Sequence, residues 1–411
     1  MSGSLGRVKK VVLAFSGGYG TVAALHLLRR KYGPNVITYT ANLGQKGSTE
    51  GLCERAIALG ASSAHIADLR ERFIENYVYP ALRAGAVCDS GYALAHALAR
   101  PMIVAEMVKI AREEGADLLA HGCAAKSNDQ VRFETSAAAL APEMRVLNPL
   151  RDANLLHNDE VATYCQKHNL TSRQEDPGRF SITENLYGSS VQWNHAPDSF
   201  DDVPDDVFRR TRPIAAAPDE PGELLISYKQ GVPCSLDGEN LPPLELLDRI
   251  SRLASEHGVG LLVTLEDRLI GIKMVEVYEQ PAATILHMGR QALERLVLAP
   301  DMLAFKATLS RKFADLTYQG FWFSELREAL DAFFFKATEF VTGDVRVRLH
   351  KGHARVVGAR SRYSLYSQAL AEPTTEGDAF SHAAVRGFME TLSQPLRAVP
   401  REGWKPREAD E

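Results

Sequence analysis

The sequence predicts an α/β fold in which a parallel-sheet, nucleotide-binding domain is followed by an α+β domain. Three observations carry this. Residues 11–22, VVLAFSGGYGTV, run an apolar β-rich segment into a glycine-rich loop and then into a helical pattern. Strand-like and helical segments then alternate to about residue 140, the texture of crossovers that set parallel strands side by side. Near residues 171–223 prolines, polar turns and the acidic run DSFDDVPDDVF replace that texture, reading as a solvated surface connection into a second domain.

The elements follow in order. Residues 11–15 read as a strand, 22–31 as a helix, 36–41 as a second strand and 49–59 as a helix. Ala64 to Ala67 is a short strand, Arg70 to Tyr77 begins a helix, and Ala97 to Glu114 is a longer one that Arg100-Pro101 starts or kinks. Leu118 to Ala120 forms another strand, followed by the loop His121 to Asn128 and a helix to about Leu140. In such a sheet, function sits at the carboxyl ends of the strands. Further on, Leu224–Tyr228 and Val232–Leu236 read as strands around a Lys-Gln-Gly turn, Leu244–His257 as a helix and Leu269–Tyr278 as a strand. Residues 284–298, 301–315 and 322–340 are helical, VRVRLHKGHARVVG is strand-like, and the tail from about Arg401 is expected to be mobile.

Composition narrows the function. With 411 residues, 45% of them hydrophobic, the chain can bury a sizeable core in two or three domains. A net charge of -5 with well-mixed charges and no basic-aromatic run argues against a nucleic-acid groove. No run reaches membrane-spanning length, so no membrane partner is expected. The five cysteines show no CxxC pairing, and no dedicated protein metal site is expected; reduced cytosol is the simplest compartment.

The loop itself points to a phosphate. Gly17, Gly18 and Gly20 allow a tight turn that presents backbone N–H groups, Ser16 and Thr21 add hydroxyls, and the helix contributes its positive end. The run lacks Gly-Lys-Ser/Thr and the dinucleotide glycine spacing. Glycines alone would make only a turn, so the context has to decide.

That context comes from several long motifs in one order: SGGYGT, YALAHALARP, HGCAAKSNDQVRFE, RFSITENLYGSS, EDRLIGIKMVEVYE, GFWFSELREALDAFF, VTGDVRVRLHKG and YSLYS. Together these resemble the argininosuccinate synthase family of the PP-loop ATP pyrophosphatase group over most of residues 9–368. The resemblance implies a PP-loop ATP-binding domain (1–172), a synthetase and multimerisation domain (173–375), and a C-terminal helix and flexible tail (376–411). It further implies a cytoplasmic ligase of arginine biosynthesis that uses ATP and Mg²⁺, the metal associated with ATP or pyrophosphate. Its ureido substrate would be citrulline or a related ureido amino acid, its nucleophile aspartate or an altered amine, and its assembly a homotetramer.

Residue by residue, the resemblance assigns Ala14, Ser16, Gly17, Gly18, Gly20, Thr21, Ala41, Asn42 and Gly122 to the nucleotide. It assigns Tyr92, Asn128, Arg132, Ser181, Ser190, Glu266 and Tyr278 to the ureido amino acid, with Arg132 suited to an α-carboxylate and Glu266 to an ammonium group. His96, Ala124, Asn128 and Asp129 fall on the aspartate side, and Ser16, Thr21, Asn128, Asp129 and Arg132 form the implied catalytic set. Departures cluster on these motifs. Gly20 and Val22 replace an aspartate and a serine of the family loop, His96 and Ala124 each replace a threonine, and Ala125 and Ser127 replace glycines. Thr183 replaces an acidic residue, Gln192 a glutamate, and Met274-Val275-Glu276 a Ser-Arg-Gly run. Three readings follow: the family reaction itself, a ligase with a different nucleophile, and a noncatalytic binding or assembly protein. Phe321, Trp322, Phe323, Leu326, Leu330, Phe333 and Phe334 form an apolar helical stretch suited to a core or to contact with another copy.

Overall fold

The computed structural model describes residues 10–33, 35–45, 47, 49–172, 180–193, 198, 200–372 and 380–398. The chain forms two compact units, one up to Tyr363 and one from Ser364 onwards. In the first unit, β1 (Val11–Ala14), β2 (Val36–Asn42), β3 (Ser63–Asp68), β4 (Leu118–Ala120) and β5 (Arg145–Leu147) form a parallel sheet in the order β3-β2-β1-β4-β5. Val11, Val12 and Leu13 are fully buried because helices cover both faces. On one face Val11 and Leu13 meet Val22, Leu25, Leu28 and Val161; on the other Val12 meets Val104, Met107 and Phe133.

The helices of this half are α1 (Tyr19–Tyr32), α2 (Leu52–Ala58), α3 (Arg70–Phe73), α4 (Tyr79–Ala84), α5 (Ala95–Glu114), α6 (Asn128–Leu140), α7 (Pro149–Asp152) and α8 (Asn158–Lys167), with a π-helical turn Ile74–Val78 joining α3 to α4. Helix α1 starts at Tyr19, not at residue 22, since Gly18 is its N-cap and the Gly18 carbonyl already accepts from Val22 N–H at 3.0 Å. Gly20 and Thr21 therefore belong to the first helical turn. Helix α5 starts at Ala95, and Pro101 lies inside it, held by burial of Ala97, Leu98, Ala99 and Met102 around it. Strand order reverses between β1 and β4, which opens a crevice between the loops that follow them.

The rest of the first unit adds two antiparallel sheets. Its elements are β6 (Phe180–Asn185), β7 (Gly188–Trp193), β8 (Gly222–Lys229), β9 (Val232–Leu236), β10 (Glu239–Asn240), α9 (Pro243–Glu256), β11 (Leu261–Asp267), β12 (Lys273–Glu279), α10 (Pro281–Val297), α11 (Pro300–Tyr318), α12 (Glu325–Ala337), β13 (Gly343–His350) and β14 (His353–Arg360). One sheet runs β11-β12-β7-β6 and the other β10-β9-β8-β13-β14. The strand expected over Leu269–Tyr278 is half turn: Arg268 N–H closes onto the Ile272 carbonyl at 2.8 Å, and β11 precedes it as a strand of its own. The acidic connection leads to a chain segment clasped by Glu279, whose buried carboxylate accepts the backbone N–H groups of Arg209, Arg210 and Thr211 at 3.0, 2.8 and 2.6 Å. The second unit contains α13 (Gln368–Ala371), α14 (His382–Leu392) and α15 (Gln394–Ala398). The tail beyond Arg401 lies outside the described residues.

Candidate functional site

A cavity of about 720 Å³ opens at the sheet reversal, walled by the segments after β1 and β4, the N-terminal end of α5, and one face of the β11-β12-β7-β6 sheet. After β1, Phe15 stays in register, donating to the Tyr39 carbonyl at 2.8 Å and accepting from Thr40 Oγ1 at 2.6 Å. The chain then turns through Gly17, whose φ of 76° a side chain would disfavour. Ser16 Oγ stands 3.3 Å from Thr21 Oγ1 and accepts from Gly18 N–H at 3.4 Å, while Thr21 Oγ1 donates to the Gly18 carbonyl at 3.1 Å. Two hydroxyls thus frame the start of α1, which carries no acid in its first turn. This is a place for anionic oxygens.

Gly20 serves close approach. A Cβ there would lie 2.7 Å from the Gly122 carbonyl oxygen, and one on Gly122 would lie 2.7 Å from that of Gly20. The two loops of the crevice touch backbone to backbone where the resemblance places an aspartate. Ala14, Ser16, Gly18, Gly20, Thr21, Ala41 and Gly122 line the cavity. Gly17 and Asn42 do not: the Gly17 carbonyl accepts from Ser172 Oγ, and Asn42 accepts from Gly44 N–H at 3.0 Å and borders a neighbouring cavity.

At the other end, the antiparallel register gathers the polar residues. Thr183 pairs with Ser190, Ser181 with Gln192, Tyr278 with Ser190 and Glu266 with Met274, so alternation sends these side chains and Glu276 to one face. Glu266 is the hub, accepting from Tyr278 Oη and Tyr318 Oη, each at 2.6 Å. Tyr278 stacks on Tyr92 with ring centroids 4.0 Å apart. Asn128 is fixed on both sides, donating to Tyr318 Oη at 2.7 Å and accepting from Leu269 N–H at 2.9 Å. Tyr318 was missed from the sequence because it arrives from the end of α11, far along the chain, with no local pattern to mark it. Arg268 was also missed; it forms a buried ion pair with Glu276 in the cavity wall. Burial outweighs that arginine and pushes the Glu276 carboxyl up to about 7.

Between the two ends lies an Arg–Asp–Arg triad. Asp129 accepts from Arg100 at 2.7 Å through one oxygen and from Arg132 at 3.0 Å through the other. Burial works against its charge, but the two guanidiniums prevail and hold the carboxyl far below the usual range. Both oxygens are therefore committed to arginines. Arg132 also donates Nε to the Tyr318 carbonyl at 2.9 Å and lies over the Tyr318 ring. The signal for Arg100 was present: it stands one helical turn after His96, on the same face of α5. His96 and Ala124 both line the cavity near this triad. Cys123 lines it too, but burial raises its thiol well above the usual range, making it a poor nucleophile. Among the described residues no group of three His, Cys, Asp or Glu side chains is arranged to hold a metal, and no helix is long and apolar enough to cross a membrane.

Comparison with known proteins decides the family. Residues 10–171 match the Arginosuccinate synthase N-terminal HUP domain, and residues 180–399 match the Arginosuccinate synthase C-terminal domain. The argininosuccinate synthase of Chlorobaculum tepidum is 42% identical over 390 residues, covering 95% of this chain and 97% of that protein. That of Synechococcus sp. (strain JA-3-3Ab) is 41% identical over 394 residues, covering 96% and 97%. The chain belongs to the argininosuccinate synthase family. Several of the departures that the resemblance names line the cavity, among them Gly20 at the junction of the two loops, His96 and Ala124 beside the triad, and Glu276 on the sheet face.

Proposed function

We propose that this carbon–nitrogen ligase binds ATP at the start of α1 and a ureido amino acid, citrulline, on the sheet face, and joins the latter to aspartate. The observation that carries this reading is that one cavity is lined by the hydroxyl-framed helix start at one end and by Glu266, Tyr278 and Arg132 at the other, Glu266 being held by Tyr318. Arg132 would take the α-carboxylate and Glu266 the ammonium group, leaving the ureido oxygen aimed along the cavity. That oxygen attacks the α-phosphorus, the bond to pyrophosphate breaks, and Ser16, Thr21 and the α1 N-terminus stabilise charge on the leaving oxygens. The amine then attacks the ureido carbon, the bond to AMP breaks, and the nitrogen loses its proton, giving argininosuccinate. Mg²⁺ would enter with the phosphates and would neutralise their oxygens, since the start of α1 offers the Ser16 and Thr21 hydroxyls and no carboxylate to hold the metal directly. Incubation with ATP, Mg²⁺, citrulline and aspartate should yield AMP and argininosuccinate by mass analysis. Binding of ATP with neither product would reject the reading.

A second reading, a ligase with another nucleophile, is favoured by His96 and Ala124 and by an Asp129 already held by two arginines. Citrulline-dependent pyrophosphate release without an aspartate adduct would select it. A noncatalytic role, motivated by Gly20 and Val22 in the loop together with Ala124 in the acceptor pocket, is excluded by any reproducible AMP formation. We also propose a homotetramer, supported by the split of the aromatic stretch: Trp322, Leu330 and Phe334 are buried, whereas Phe321, Leu326 and Phe335 face outward. Light scattering over a concentration series tests it, and a persistent monomer rejects it.

A further inference from the structure

Gln280 follows the last residue of β12, two positions after Tyr278, and stands at the N-cap of α10. Its side chain is 6% exposed, lies outside the cavity lining and does not cap its own helix. It reaches instead to the segment that leads into α5. Oε1 accepts from Ala93 N–H at 2.9 Å, and Nε2 donates to the Gly91 carbonyl at 2.7 Å. A backbone N–H can only donate and a carbonyl only accept, so both ends of the amide are assigned and both are used. The residue between those two peptide groups is Tyr92. The main chain of Gln280 is pinned as well: its N–H donates to the Gly260 carbonyl at 2.8 Å, and its carbonyl accepts from the N–H and Oγ1 of Thr284, each at 3.0 Å.

Tyr92 sits where the chain needs such a hold. Gly91 and Leu94, at φ of 91° and 65°, put left-handed backbone on either side of it. The local turn is closed by Gly91 N–H on the Cys88 carbonyl at 2.8 Å and Cys88 N–H on the Tyr92 carbonyl at 2.9 Å. The Tyr92 ring, 2% exposed, stacks on Tyr278 with centroids 4.0 Å apart and planes 13° from parallel. Tyr278 in turn donates to Glu266 at 2.6 Å. Strand alternation carries residues two apart to the same side, so one short stretch of chain presents the Tyr278 ring and the amide that sets its partner.

We propose that Gln280 is a positioning residue for the ureido amino acid: by bracketing Tyr92 it holds that ring on Tyr278 and so keeps the Glu266 carboxylate aimed at the substrate. Gln280 itself touches no substrate, and its effect passes through Tyr92. This inference rests on the ligase reading above, in which Tyr92, Tyr278 and Glu266 hold citrulline.

Citrulline-dependent exchange of labelled pyrophosphate into ATP, without any amine, separates the two. Its absence from the full-length parent overturns the ligase reading and this inference with it. With exchange present, Gln280→Met, which keeps the length of the side chain and loses both hydrogen bonds, should raise the citrulline KM about tenfold or more while the ATP KM stays within about twofold. Gln280→Glu supplies the rescue: protonated, the carboxyl offers an acceptor and a donor at the reach of the amide, and ionised it has no donor for the Gly91 carbonyl. The ratio of its citrulline KM to that of the parent should therefore fall as pH is lowered from about 8 to about 6, while the ratio for the Met variant stays level. In a Tyr92→Leu background, Gln280→Met should add less than about twofold, since the ring it acts through is gone. A citrulline KM unchanged in Gln280→Met, citrulline and ATP KM rising together, a Glu variant indifferent to pH, or full additivity with Tyr92→Leu overturns the assignment. If Gln280→Met fails to fold, the pH dependence of the Glu variant decides alone.

Discussion

Replacing Asp129 by Asn keeps the shape of the side chain and removes the charge that two buried guanidiniums share. The side chains of Arg100 and Arg132 are only 15% and 5% exposed, so water cannot take over what the carboxylate does. Removing one partner of a buried ion pair costs about 3–5 kcal/mol, and because the amide oxygen still serves one arginine the lower end, about 3 kcal/mol, is expected. Urea unfolding followed by tryptophan fluorescence at pH 7 measures this directly. The pH dependence follows from the sign of the shift. The folded carboxyl lies below its unfolded value of 3.8, so the contribution is fully present above that value and fades as pH falls through the folded one. The gap between parent and variant should be the same at pH 5 and pH 8 and should shrink only in strong acid. Removing Arg100 as well should recover part of the loss, since fewer uncompensated charges remain. A loss under about 1 kcal/mol, or a gap that widens toward acid, would refute the triad as an electrostatic brace.

Three other changes probe the site. Gly20→Ala places a Cβ 2.7 Å from the Gly122 carbonyl, backbone that cannot rotate away, so stability should drop by about 1–3 kcal/mol and the ATP KM should rise; unaltered values would mean the loops separate freely. Tyr318→Phe removes the hydroxyl that donates to Glu266 and accepts from Asn128, and the citrulline KM should increase about tenfold in steady-state kinetics. Glu276, raised to about 7 from 4.5, stabilises the fold most fully below its unfolded value, and that stability is lost as pH climbs through 7. Urea midpoints of Glu276→Gln between pH 5 and pH 8 should therefore vary less than those of the parent.

The sequence made the first half legible because its signals are local. Leu118–Ala120 coincides with β4, and the 36–41 pattern with all but the last residue of β2, since central parallel strands are short apolar runs punctuated by loops. The start of α1 was displaced by three residues because Gly18 and Gly20 look like loop, whereas only Gly17 needs a left-handed φ and Gly20 serves an approach to Gly122 that no local pattern encodes. Strands β6, β7 and β11 were unmarked: their polar members, Ser181, Thr183, Ser190 and Glu266, face a cavity rather than solvent, so hydrophobic alternation is blurred where the site lies. Motif order picked out Tyr92, Asn128, Arg132, Ser181, Ser190, Glu266 and Tyr278, which line one cavity, but not their partner Tyr318, because a hydrogen bond between distant elements leaves no spacing to read.

The positions of these partners say what the site depends on. Phosphate would bind at one sheet and the amino acid at another, and the connection between them runs past residues 173–179, outside the described segments. What joins the two ends mechanically is α5 and α6. Helix α6 carries Asn128, tied to Tyr318 and Leu269, and Arg132, tied to the Tyr318 carbonyl; Arg100 on α5 is tied to α6 through Asp129. A shift of α6 would therefore move the Glu266 cluster relative to the phosphate loop, which the Gly20–Gly122 contact joins to the segment leading into α6. In-line attack tolerates little misplacement, and about 1 Å can cost about a hundredfold in rate. On this argument, substitutions in the triad should depress turnover even where they touch neither ATP nor citrulline. For Arg100 and Asp129 the effect should fall on kcat for pyrophosphate release more than on the KM of either substrate, whereas a change at Arg132, the proposed α-carboxylate partner, should raise the citrulline KM as well.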